Sequence, residues 1–136
     1  MPAISHHTAL VYVMVIVSAA DGEMTDAELH VIGELTRLLP VFADFEKDLL
    51  PATAEACAEL LDDDDGLENA LVMIKEALPA RLRETAYALA CDVAAADGAV
   101  HQEELRLLEM IRHQVGIDRL TAAAIERAAR ARFATA

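Results

Sequence analysis

The 136-residue sequence predicts an all-α fold, a single-domain helical bundle of about seven helices, on three observations. Ala is the commonest residue, against five Gly, four Pro and no Trp, a composition that favours helices wherever the chain is not breaking. Caps and breakers cut the chain into helix-length segments. The chain also repeats itself, and the second copy has an Ala-rich helical pattern leading into its Asp-Gly turn. With 55% hydrophobic and 26% charged residues, the chain can bury one core.

Taken in order, the first helix begins at Ser5 as N-cap and ends at Ala20, with Asp21-Gly22 as the turn. Its run from Thr8 to Ala20 is rich in Val and Ile and would pass for a strand on propensity alone. Thr25 opens a second helix that runs to Leu39 before Pro40. A third element is expected at 43–50, a fourth helix at 52–61 and, after Asp62-Asp63-Asp64-Asp65-Gly66, a fifth at 67–78. Pro79 suits the first position of a sixth helix reaching Ala96. The last two run from Gln102 to Val115 and from Asp118 to Arg132, making eight if residues 43–50 hold together.

The repeat decides the first element. One constant offset lays Ala19-Ala20-Asp21-Gly22 on Ala95-Ala96-Asp97-Gly98 and Glu28-Leu29 on Glu104-Leu105. Ile32, Leu35 and Leu39 fall on Leu108, Ile111 and Val115, and the breakers Pro40 and Gly116 coincide. The Ala-rich segment that precedes Asp97 is helical in pattern, so its Val-rich counterpart is expected to be helical too. The units span about 8–40 and 84–116, joined by a connector at 41–83. Two copies so far apart predict a pseudo-twofold pair of helix–Asp-Gly–helix units, not a solenoid of short repeats.

Charge narrows the partners. Eleven Lys and Arg against 24 Asp and Glu give −13, which excludes nucleic acid and anionic membrane surfaces as primary partners. Residues 1–80 carry 16 acidic and 3 basic side chains and so all of the net charge, whereas residues 81–136 carry eight of each. No basic n-region of a secretory signal precedes the first helix, and its uncharged run from Thr8 to Ala20 falls short of the roughly 20 residues needed to span a bilayer. Cys57 and Cys91 form no CxxC pair and suit a reducing compartment as small core residues. A cytoplasmic protein with no direct membrane insertion is expected.

Each repeat contains Asp-Gly-x-apolar-x-x-x-Glu-Leu, the back half of an EF-hand loop, with Asp-Gly at loop positions five and six and Glu at twelve. The front half is missing, since Val17, Ala19, Val93 and Ala95 occupy positions one and three. One copy therefore supplies two carboxylates, too few for calcium, whereas two copies face to face supply Asp21, Glu28, Asp97 and Glu104. A purely architectural reading competes: Asp-Gly is a common turn, and Thr25-x-x-Glu28 is a capping box. That reading accounts less well for Glu104, because His101 stands where Thr25 does and is a poor N-cap. Asp21 and Asp97 also lie at helix C-termini, where an anion needs a compensating cation or donor.

Other candidates carry less. The five histidines have no metal-ligand spacing and are read as surface or cap residues, although His101 lies inside the second loop and would shift a site toward zinc. Asp92 is read as a solvated helix edge, with Arg81 or Arg83 as partners if it is buried. The Asp62–Asp65 run is read as a solvated loop. No phosphate loop or activated nucleophile is present in the sequence, so no enzyme activity is expected.

The paired Ala-Ala-Asp-Gly segments at 19–22 and 95–98, each followed by Glu and an apolar helix, resemble the TerB family of tellurite-resistance proteins. Cys91 ahead of the second copy and Gly-Ile-Asp at 116–118 are similar as well, and the resemblance runs from about residue 8 to 130. It implies a TerB-like helical fold in which Asp21, Glu28, Asp97 and Glu104 form a divalent metal site, for calcium, magnesium or zinc. Ala99 departs from the family pattern, which commonly has an acidic residue after Asp-Gly. The resemblance further implies a stress-response role and docking onto other tellurite-resistance proteins, one of them membrane-embedded, at the inner face of the membrane. Tellurite is an oxyanion that a −13 protein with a carboxylate-lined site would repel, so a cation is the expected ligand. A metal-independent acidic interaction module is the alternative.

Overall fold

The computed structural model describes residues 3–20, 22, 24–96, 98, 100 and 102–136. They form α1 (His6–Ser18), α2 (Asp26–Leu38), α3 (Leu50–Leu61), α4 (Gly66–Ala77), α5 (Arg83–Ala95), α6 (Gln102–Val115) and α7 (Arg119–Phe133), with no strand among the described residues. The expected element at 43–50 is not an α-helix. Short 3-10 turns at Pro40–Phe42 and Lys47–Leu49 stand there, and they fold Phe42 and Phe45 inward as buried side chains. Pro79 likewise does not open a helix. Its ψ of 155° is extended, a 3-10 turn follows at Ala80–Leu82, and α5 begins only at Arg83.

The Val- and Ile-rich segment is helical because of where it sits. α1 packs against α2, α3, α4, α5 and α6, and every residue from Ala9 to Ser18 is buried. A helix that is apolar around its whole circumference is stable only at such a centre. Ser5 caps it as expected, its hydroxyl accepting from the Thr8 N–H at 3.1 Å.

The two repeats show the reciprocity of a twofold pair. α1 lies on α5, α2 crosses onto α5, and α6 crosses onto α1. Both turns close alike: Gly22 and Gly98 adopt φ of 87° and 81°, and their N–H groups donate to Ala19 and Ala95 carbonyls at 3.1 and 3.0 Å. That left-handed φ is the reason for glycine at both turns. The helix that follows is buried on matching positions, Ile32 and Leu108, while Leu29 and Leu105 are half-exposed in both copies.

α7 has no counterpart in the first repeat and covers α5. Asp118 caps it, accepting from the Thr121 N–H at 3.1 Å, and hydrogen bonding from the Thr121 side chain first and its N–H second holds the Asp118 carboxyl below the usual range. A group with a depressed value stabilises the fold above its unfolded value, so this cap is lost as pH falls through the carboxylate range. Two side-chain pairs clamp α7 to α5: Tyr87 Oη donates to Glu126 Oε2 at 2.6 Å, and Arg132 pairs with Asp92. Tyr87 is 2% exposed, and burial together with the Glu126 carboxylate pushes its phenol up. Tyr87→Phe is expected to cost about 1–1.5 kcal/mol in a denaturant melt, since it deletes a hydrogen bond to a charged acceptor but leaves Glu126 able to turn to water.

Candidate metal centre

Of the four carboxylates singled out in the sequence, Glu28 and Glu104 are described, and Asp21, Asp97 and the nearby His101 lie outside the described residues. Glu28 is 3% exposed and Glu104 1%, both in the first turn of the helix that follows their motif. The capping box expected at Thr25 is formed: the Thr25 Oγ1 accepts from the Glu28 N–H at 3.1 Å, and the Thr25 N–H donates to Glu28 Oε1 at 2.9 Å. The Thr25 hydroxyl also meets Oε1, at 3.1 Å. Both side-chain contacts thus fall on one oxygen of the carboxylate.

Helix polarity sharpens the setting. α1 ends at Ser18 and α5 at Ala95, and neither has a basic residue in its last turn to meet the carbonyl ends that point into the two Asp-Gly turns. Each turn thus lies between the carbonyl end of one helix and the amino end of the next.

Residues beside the first motif and one residue within the second line a groove of about 540 Å³, which neither Glu28 nor Glu104 lines. Ala19 and Ala20, which precede Asp21, stand on one side, and Glu103, which precedes Glu104, stands on the other. Asp64 and Glu68, from the turn between α3 and α4 and the first turn of α4, close a third side, so the acidic tract at 62–65 reaches this groove through Asp64. Sequence spacing had no means of linking that tract to the repeats. Among the described residues, no three of His, Cys, Asp and Glu are grouped closely enough to hold a metal ion.

Asp92 is not a solvated edge: it is 8% exposed, and its partner is Arg132, forty residues on, in place of Arg81 or Arg83. His7 is not a surface histidine. It is 9% exposed, with its ring against Phe42 and Phe45 and Nε2 at 2.8 Å from the Val41 carbonyl and 3.2 Å from Asp44 Oδ1. Cys57 and Cys91 are core residues as expected, and burial pushes both thiols up to about 12, far from the thiolate a nucleophile needs at neutral pH. A second cavity of about 500 Å³, between α5, α6 and α7, is lined by Tyr87, Cys91, Glu126 and, from beside and within the second motif, Ala95, Val100 and Leu105.

The architecture is that of a small helical protein built from two pseudo-twofold helix–Asp-Gly–helix units around a fully buried central helix. The family model described as tellurite resistance protein TerB matches residues 7–128, and the chain belongs to the TerB family. That membership ties it to tellurite resistance. Neither a curated protein nor a solved structure matches it. No helix among the described residues is long and apolar enough to cross a membrane.

Proposed function

We propose that this protein is a non-enzymatic, cytoplasmic component of tellurite resistance and stress response that binds a divalent cation through Asp21, Glu28, Asp97 and Glu104. In this reading it docks onto other tellurite-resistance proteins, a membrane-embedded one among them, at the inner face of the membrane. The observation that carries the metal reading is that Ala20, next to Asp21, and Glu103, next to Glu104, line one groove, so one carboxylate of each motif adjoins it in sequence. The donor set is all carboxylate, which favours calcium or magnesium over zinc, with waters and backbone carbonyls completing the six to eight oxygens that calcium takes.

The test is calorimetric titration of chelator-stripped protein with calcium, magnesium and zinc, read beside thermal melts. One site of micromolar affinity or better is expected, and Asp21→Asn and Asp97→Asn are each expected to abolish it. Glu28→Gln separates the two roles of that residue. The amide keeps a carbonyl acceptor for Thr25, so stability should stay within about 0.5 kcal/mol of the parent while metal affinity falls at least tenfold. A parent-like affinity in the Asp21→Asn/Asp97→Asn double variant would sink the metal reading. The metal-independent interaction module is favoured by one observation, the capping box, which accounts for buried Glu28 without any cation. It requires partner binding that survives a chelator.

A further inference from the structure

The groove between the motifs has chemistry that a metal site does not use. Its floor is apolar, made by Ile16, Leu61, Leu67, Leu107 and Met110, and its rim carries Asp64, Glu68 and Glu103 against one cation, Arg106. No ion pair among the described residues joins these four charged side chains. α1 and α3 end at this groove while α4 and α6 begin at it, so the helix ends offset one another and the sign of the rim is set by its side chains. Along α6, Glu103, Arg106, Leu107 and Met110 stand at i, i+3, i+4 and i+7, a stripe about 10 Å long that matches two turns of a docked helix. Ala19 and Ala20 keep one wall low, and Met110 supplies an adaptable contact.

We infer that this groove docks a basic amphipathic helix of a partner protein, with apolar anchors on the floor and Lys or Arg side chains on the acidic rim. A helix is the fitting occupant because it satisfies its own backbone, whereas the groove is walled by helices and offers no sheet edge for an extended peptide to pair with. A second copy of this chain fits worse: α7 has four Arg and one Glu, but the chain that carries it has a net charge of −13. The inference rests on the docking half of the proposed function and not on its metal half.

The experiment is a fluorescence-anisotropy titration of the intact protein, in chelator and at physiological salt, with a dye-labelled amphipathic helix of Leu and Lys, about five turns long. Micromolar binding is expected, with at least tenfold weaker binding of a scrambled peptide of the same composition, which keeps the charge but loses the apolar face. Glu68→Lys with Glu103→Lys, both exposed, should fold as the parent by circular dichroism and lose binding at least tenfold. Reversal at Asp48 and Glu55, also exposed but not part of the groove lining, should cost at most about threefold. Equal binding of the scrambled peptide, or equal loss from the distant reversal, would show general acidity and overturn the inference. Concentration-dependent self-association abolished by Glu68→Lys/Glu103→Lys would assign the groove to a second copy, and likewise overturn it. Because no divalent ion is present, a failed metal titration leaves this result standing.

Discussion

Gly66→Ala is expected to lower the melting temperature by roughly 6–8 °C, although Ala is the better helix former. Gly66 is the first residue of α4 and is buried in the turn that follows the Asp62–Asp65 run. A Cβ placed there would lie 1.9 Å from the Leu60 carbonyl oxygen and 2.9 Å from its carbon. Both neighbours are backbone, so no side chain can swing aside, and α4 must move away from the end of α3. Overpacking of this kind costs about 1–3 kcal/mol and belongs at the upper end here, while the propensity gain is at most about 1 kcal/mol. The net loss of about 2 kcal/mol corresponds to the stated shift in a domain of this size. Because Asp64, Leu67 and Glu68 line the groove, the same variant should also weaken the basic-helix contact. A melting temperature at or above the parent's would show that the α3–α4 turn yields freely.

Arg132→Leu is expected to destabilise by about 2 kcal/mol, read from denaturant midpoints, as a partly screened case of breaking a buried ion pair. Its guanidinium pairs with Asp92, whose side chain is 11% exposed, whereas that of Arg132 is 52% exposed. Removing one member of a fully buried pair costs about 3–5 kcal/mol, because a charge is left without a partner. Here water reaches the arginine side, so a smaller loss is expected. Asp92→Asn should cost less than Arg132→Leu, since the amide oxygen still accepts from Arg132. In the Asp92→Asn/Arg132→Leu double variant the losses should not add, as no buried anion remains to be stranded. Strict additivity would mean that the pair does not hold α7 onto α5.

Most of the fold was legible because its determinants are local. Ser5, Thr25 and Asp118 cap the helices they precede through contacts three residues away, and Gly22 and Gly98 end α1 and α5 through their own φ. The repeat then identified α1 as a helix against its β-branched composition. Misreadings fell where distant partners decide. Residues 40–49 became 3-10 turns that bury Phe42 and Phe45 against His7, a contact across more than thirty positions. Asp92 was buried by an arginine forty residues later. In the candidate site the motif spacing pointed to Glu28 and Glu104, but burial of both to within a few per cent of full was not readable from spacing.

By itself, then, the sequence determined the helical class, the two Asp-Gly units, the caps and the concentration of negative charge before position 81. Each of these depends on composition or on contacts within one helical turn. Only the tertiary structure decided that α1 is the central helix, that α7 is clamped to α5, and that Ala19, Ala20, Glu103 and the α3–α4 turn border one groove. Those outcomes follow from packing apolar faces that lie far apart along the chain, and no local periodicity specifies which face meets which.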